Sequence, residues 1–333
     1  MALTVSTMES AQSEAGQGEA GQSRGQGGQG QDSASEATER PVEIGRIEIT
    51  PRGRYSLAAA ITQAFGPRID TGDVDVMRLA FAVDNFEQTA GVALTQGTDG
   101  TVQGDVQGAT DLGSVSRQVA RILSLDHDGT GWPEVGERDP VLGRLQARTP
   151  GFRPVLFHSP YEAAAWSVLY GRKTHQQVRR LRDQIAVALG DTYIVAGRSM
   201  SAFPTPSRLL EIEPMPGLAQ PVVERLHAIA DRALEGRLST EHLRSLEPAA
   251  ALAEVRTLPG VGPFFSSLIL IRAAGPVDAP PVDEPQLREC LRHYYGIDPD
   301  DATAVQAITE RWRPYRTWAT VQLRRAAYEE GMG

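Results

Sequence analysis

The stretch that decides the fold is Leu258-Pro259-Gly260-Val261-Gly262-Pro263, which lies between two segments with helical spacing of apolar residues. Pro259 and Gly260 are expected to end the first helix, and Gly262 to let the backbone turn without a side-chain clash. Backbone amides at the start of the second helix then point outward, where the helix dipole favours a phosphate. The pattern indicates a hairpin on which a DNA strand can dock without base readout. An ordinary turn between two helices is the alternative for this stretch by itself.

Helical spacing dominates the chain from about residue 139 onward. The spacing predicts helices at 159–169, 174–189, 222–234, 240–246, 248–257, 264–273, 286–295, 303–311 and 316–328, with an irregular connection at 191–220. Upstream, apolar residues alternate at 74–83 as in a half-buried strand, and residues 97–100 form a turn signal before another strand at 102–106. We therefore expect a mainly α protein with an N-terminal α+β domain.

Three segments differ in composition. Residues 1–40 are rich in Gly, Gln, Ser and Glu and are predicted to be disordered, because they cannot bury enough apolar surface to offset their ordering entropy. The α+β domain is predicted at 44–138 and the helical domain at 139–331.

Composition excludes several classes of protein. The single cysteine, Cys290, rules out a disulfide framework and a four-cysteine iron–sulfur cluster within one chain. No apolar run reaches the roughly 20 residues that span a bilayer, and the N-terminus lacks a secretory pattern. The six histidines show no ligand spacing, so we expect neither a metal nor another cofactor. A net charge of -9 argues against general coating of DNA but allows a local basic face. We expect a cytoplasmic protein.

The hairpin is followed by a Gly/Pro-rich loop and then by Pro281-Val282-Asp283-Glu284. This order resembles the helix-hairpin-helix (HhH-GPD) DNA glycosylase superfamily, which includes endonuclease III and 8-oxoguanine glycosylase. Four further segments resemble the AlkA-like DNA-3-methyladenine glycosylase II family in the right order: 55–57, 119–122, 150–154 and 311–316. The resemblance covers about 47–331 and implies a helical glycosylase fold preceded by a domain like half of a TATA-binding protein.

The resemblance implies a monomeric enzyme of base excision repair that acts on double-stranded DNA. It would hydrolyse the N-glycosidic bond of a flipped, damaged base, with an alkylated base as the family's substrate, and would associate with the bacterial nucleoid through DNA. Phe264 stands where lyases of the superfamily carry a lysine, and Lys173, the only lysine, lies far away in sequence. The resemblance therefore implies water as the nucleophile and no AP lyase activity. The alternative is a catalytically lapsed protein that binds DNA damage.

The catalytic carboxylate remains open between two neighbours. The family's Pro-x-Asp pattern selects Asp283, which we favour, whereas counting from the hairpin without gaps selects Glu284. The carboxylate would stabilise the positive charge that develops on the sugar and help to place the attacking water. Both residues could instead serve only as a helix cap.

The predicted base pocket contains fewer aromatic residues than the family pattern. Its positions fall on Phe264, Leu268, Tyr315 and Arg324, whereas Trp312 and Trp318 are expected to pack in the core. Fewer rings weaken the cation–π attraction to a 3-methyladenine-type base and leave a deaminated or oxidised base open.

The DNA-binding residues are predicted on the hairpin and on a basic run. The hairpin contributes Gly260, Val261, Gly262 and Pro263, and the run contains Arg172, Lys173, His175, Arg179, Arg180 and Arg182. The family's apolar wedge position falls on Lys173, a poor wedge. In the family, hairpin carbonyls can hold a monovalent cation; here Arg256, Leu258 and Val261 would supply them.

Overall fold

The computed structural model describes residues 45–63, 74–171, 173–279 and 285–332. Its N-terminal part holds a four-stranded antiparallel sheet in the order β1-β4-β3-β2. The strands are β1 Gly45–Ile49, β2 Met77–Ala82, β3 Thr89–Gln96 and β4 Val102–Gln107. The predicted strands and the turn at 97–100 are confirmed, since the Gly97 amide donates to the Thr101 carbonyl across the turn at 2.9 Å.

Two helices pack with this sheet around the first hydrophobic core. They are α1 Leu57–Ile61 and α2 Leu112–Ile122, and each begins at a side chain that accepts a free amide: Ser56 for α1 and Asp111 for α2. Val115, Val119 and Ile122 form the buried face of α2, with the spacing of an amphipathic helix.

A second core joins two early helices to the C-terminal ones. The helices are α3 Trp132–Arg138, α4 Pro140–Arg148, α12 Pro285–Cys290, α13 Ala302–Glu310 and α14 Arg316–Glu329. Trp312 and Trp318 are fully buried in this core, so their predicted packing role is confirmed. Because α3 precedes residue 139 and shares this core, the division into 44–138 and 139–331 stays a prediction.

The remaining helices share a third core with α5, whose residues from Pro160 to Leu169 are buried. In chain order they are α5 Pro160–Tyr170, α6 His175–Leu189, α7 Pro206–Leu209, α8 Gln220–Leu234, α9 Thr240–Ser245, α10 Pro248–Arg256 and α11 Pro263–Ile269. A π-helical turn, Leu270–Ala274, continues α11, and another, Leu291–Tyr295, continues α12. The helices predicted from spacing are confirmed to within a few residues. Across the described ranges, no helix has the length and apolar character needed to cross a membrane.

The prediction of an irregular connection at 191–220 is wrong. Besides α7, this segment holds an antiparallel hairpin of β5 Thr192–Val195 and β6 Arg198–Ser201. Its turn places Ala196 and Gly197 in the left-handed region, at φ 42° and 77°, and alanine there gives no turn signal. Tertiary packing adds support, because the Tyr193 ring lies directly against Gly91 and Gly108, where a side chain would clash.

Candidate functional site

The predicted hairpin is the loop between α10 and α11. Gly260 has a φ of 86°, in the left-handed region that costs a residue with a side chain about 1–2 kcal/mol. Gly262 has a φ of -83° and a ψ of 179° and forms the N-cap of α11, a conformation open to any residue. The turn therefore depends on Gly260. Assigning it to Gly262, as the sequence suggested, is wrong.

The hairpin packs against the protein core on one side and is exposed to solvent on the other. Leu258 and Val261 are buried in the core around α5, and the Val261 amide donates to the Leu258 carbonyl at 3.2 Å. Gly260, Gly262 and Pro263 are exposed. Because the first amides of a helix have no intrahelical acceptor, the start of α11 offers free donors on the exposed side.

A row of aromatic rings runs from the start of α11 to the junction of α5 and α6. Phe264 is 49% exposed, and its ring centroid lies 5.2 Å from that of Phe265. Phe265 packs against Tyr170 at 5.5 Å, and His175 packs against both Tyr170 and Trp166. The exposed ring at the hairpin is thus supported by a continuous set of ring contacts.

The four predicted pocket residues occupy two places. Phe264 and Leu268 lie one turn apart on α11, with Leu268 half-buried against the helical core. Tyr315 is buried at the start of α14, where its hydroxyl donates to the Asp128 carbonyl at 2.8 Å. Arg324 is half-buried further along α14, and its guanidinium donates to the Gln286 side chain. The structure brings the first two residues together, and the pocket of four stays a prediction.

The predicted carboxylates Asp283 and Glu284 lie outside the described residues, as does Arg172. The residues on either side of the carboxylate segment are held by α14. Asp278 accepts from the Arg316 amide at 3.1 Å and from its guanidinium at 3.0 Å, and from Arg313 at 3.0 Å. Asp278 was not selected from the sequence. The arginines of the 311–316 segment, which would need an acidic partner, are the signal that could have found it.

The basic run does not form one surface. Arg182 is buried and donates to Glu162 at 2.9 Å, so its predicted role in a DNA-facing run is wrong. Glu162 also lies 2.6 Å from His158 Nδ1. Burial raises the pKa of Glu162, but His158 and Arg182 outweigh burial and lower this pKa to about 2.

The rest of the run lies at and beyond the α5–α6 junction. Arg180 is exposed, Arg179 is half-buried beside His175, and Lys173 is half-buried with its amide donating to the Tyr170 carbonyl at 2.8 Å. A DNA-facing role for these residues stays a prediction.

Within the described ranges, no cluster of three or more His, Cys, Asp or Glu side chains could hold a metal ion. The carbonyls of Arg256, Leu258 and Val261 lie on or beside the hairpin loop. The Leu258 carbonyl accepts one hydrogen bond and keeps a second lone pair, so the donor set fits a monovalent cation, and this site stays a prediction.

The chain is similar in sequence to curated DNA repair proteins. No family model matches the chain. The chain is 28% identical over 219 residues to the probable bifunctional transcriptional activator/DNA repair enzyme AlkA of Mycobacterium tuberculosis, a match that covers 64% of this chain and 42% of that protein. It is 24% identical over 211 residues to the DNA-3-methyladenine glycosylase of Bacillus subtilis, covering 62% of this chain and 70% of that protein. The chain thus spans less than half of the M. tuberculosis relative.

The fold is also similar to that of a solved structure. The 3-methyladenine DNA glycosylase of Archaeoglobus fulgidus superposes with a TM-score of 0.66 at 21% identity, covering 86% of this chain and 99% of that one. The chain is thus similar in sequence to AlkA-like repair proteins and in fold to a DNA glycosylase. The position at which the resemblance implies a lysine in lyases holds the exposed ring of Phe264, and Lys173 lies on the α5–α6 junction.

Proposed function

We propose that this AlkA-like chain is a monofunctional DNA glycosylase of base excision repair. It hydrolyses the N-glycosidic bond of a damaged, alkylated base that has been flipped out of duplex DNA, and it works as a monomer. The observation that carries this proposal is the hairpin itself, which presents free amides and the half-exposed Phe264 ring at one place. Amides suit a phosphate and a ring suits a flipped base. The printed names of the B. subtilis and A. fulgidus relatives support an alkylated base.

The chemistry follows from the carboxylates and from the absence of a lysine at the hairpin. In the proposed reaction the bond between the sugar C1′ and the base nitrogen breaks, and a water oxygen bonds to C1′. Asp283, or Glu284 beside it, stabilises the positive sugar and accepts the water proton. Because Phe264 cannot form a Schiff base, the product is an abasic site with an intact strand.

The N-terminal part completes the proposal. We assign the sheet and its helices to a domain at 44–138 like half of a TATA-binding protein, and the glycosylase machinery to 139–331. The antiparallel order β1-β4-β3-β2 with α2 against it is compatible with that assignment.

The test is a screen for base excision. Purified protein is incubated with duplex oligonucleotides that each carry one alkylated, deaminated or oxidised base, and abasic sites are then cleaved with alkali. We expect product from the alkylated class and none before alkali. The double variant Asp283→Asn with Glu284→Gln should lose at least about 100-fold in rate while it still binds DNA. Glu289→Gln, which removes an exposed carboxylate on α12 that pairs with Arg292 at 3.4 Å, is the matched control.

Each result has one meaning. Retained turnover in the double variant would overturn the carboxylate assignment, and strand cleavage before alkali would overturn the monofunctional mechanism. No product from any lesion, with DNA binding intact, would favour the second candidate, a catalytically lapsed protein that binds DNA damage. The observations that favour this candidate are the half-buried Leu268 at a predicted ring position and the Lys173 side chain at the wedge position.

A further inference from the structure

Arg225 lies over the hairpin from a helix that is distant in sequence. It stands on α8, and its side chain crosses Gly260 closely. A Cβ atom built on Gly260 would lie 3.0 Å from Arg225 Cδ, 3.3 Å from Nη1 and 3.4 Å from Nε. The absence of a side chain at Gly260 therefore lets the guanidinium rest on the exposed loop.

The Arg225 guanidinium is exposed and has no acidic partner within the described part of the chain. Other arginines on and beyond this helix do have acidic partners. On the same helix Arg232 pairs with Glu235 at 2.9 Å, and beyond it Arg237 pairs with Glu254 at 2.7 Å. The adjacent acid, Glu224, accepts a hydrogen bond from Gln220 at 3.2 Å. The positive charge at Gly260 is thus not neutralised by the carboxylates around it.

A second guanidinium lies beside the same loop. Arg256, the last residue of α10, is exposed, and its Nε lies 3.5 Å from the Ser266 hydroxyl in the first turns of α11. Two arginines therefore lie beside the loop, in a chain whose net charge is -9. A locally positive site on an acidic protein suits a polyanion that meets this surface alone.

We propose that Arg225 is a phosphate-binding residue of the DNA interface, and that it holds a backbone phosphate of the strand that the hairpin contacts. This inference rests on the proposed function, in which the hairpin face binds DNA. The planar fork of a guanidinium matches two phosphate oxygens. The side chain already lies beside Gly260, so it needs no large movement to reach a phosphate at the hairpin.

The experiment measures the affinity of the full chain for an undamaged fluorescent duplex at several salt concentrations. Each phosphate contact contributes about 0.9 to the slope of log K against log salt. Arg225→Gln should therefore flatten the slope by about 0.9 and weaken binding about fivefold at about 0.15 M salt, with no loss near about 1 M. Arg225→Lys keeps the charge and should keep the slope. Arg144→Gln removes an exposed arginine from α4, which packs in the other helical core, and should also keep it.

Excision provides the second readout. At limiting protein, the excision rate of Arg225→Gln should fall by the same factor as its affinity for the duplex, because Arg225 acts on binding. If the unsubstituted protein binds and Arg225→Gln has the same slope, the inference fails and the proposed function stands. Equal weakening by Gln and Lys at all salt concentrations would also overturn it, since Arg225 would then only support the loop. A lack of binding by the unsubstituted protein would overturn both proposals.

Discussion

Replacing each hairpin glycine by alanine should have different effects at the two positions. In Gly260→Ala the new side chain must adopt a φ near 86°, at a cost of about 1–2 kcal/mol. It also meets Arg225 Cδ at 3.0 Å, but this exposed arginine can move away. In Gly262→Ala the φ of -83° is ordinary, and no atom lies within 4 Å of the new Cβ. The entropy gain of about 0.4–1 kcal/mol then offsets the poorer N-cap that alanine makes.

Urea unfolding of both variants measures the difference. We expect Gly260→Ala to lower the free energy of unfolding by about 1–2 kcal/mol and Gly262→Ala to leave it within about 0.5 kcal/mol of the unsubstituted value. Displacement of Arg225 by the Gly260→Ala side chain should also weaken duplex binding. Equal losses of stability in the two variants would refute the assignment of the turn to Gly260.

Two further predictions concern stability. Glu162→Gln should lower the free energy of unfolding at neutral pH by about 3–5 kcal/mol, because His158 and Arg182 stay buried without their carboxylate; urea unfolding measures it, and a loss below about 1 kcal/mol would contradict it. The lowered pKa of about 2 means that ionised Glu162 stabilises the fold fully above the ordinary carboxyl pKa of 4.5, and that this stability is lost as the pH falls toward about 2; the variant should lack this part of the pH dependence. Ala196→Asn should raise the free energy of unfolding by about 0.5–1 kcal/mol, because asparagine tolerates the left-handed conformation that Ala196 adopts. An unchanged value would show that the turn is not strained.

Elements with local signals were predicted correctly. Ser159 caps α5 by accepting the Glu162 amide at 3.1 Å, and Ser-Pro at a helix start is visible in sequence. The β5–β6 hairpin was missed because its support is tertiary: Tyr193 packs on Gly91 and Gly108, and its hydroxyl donates to the Thr89 carbonyl at 3.1 Å. No pattern within 191–220 carries that information.

For the candidate site, too, the sequence predicts what depends on local signals and misses what depends on tertiary contacts. The position of the hairpin follows from its glycines and prolines, which are a local signal. Which of Gly260 and Gly262 adopts the left-handed conformation depends on backbone angles, and glycine allows those angles at both positions. Arg182 looked like part of a basic surface, yet its partner Glu162 lies on another helix. Charge patterns along one helix therefore cannot separate a surface cation from one half of a buried ion pair.

The chain is acidic and yet is proposed to bind DNA. Both can hold because some arginines form ion pairs within the chain and others do not. Away from the hairpin, several arginines are paired within the chain, as Arg148 is with Glu330 at 2.6 Å and Arg313 with Glu310 at 2.7 Å. Such pairs have little net charge to offer a phosphate. The charge of Arg225 is not offset by a carboxylate, because the carboxylates nearest along its helix bind other residues. Binding to DNA would then depend on the cations that lack a carboxylate partner, and each of those at the hairpin should account for a measurable part of its salt dependence.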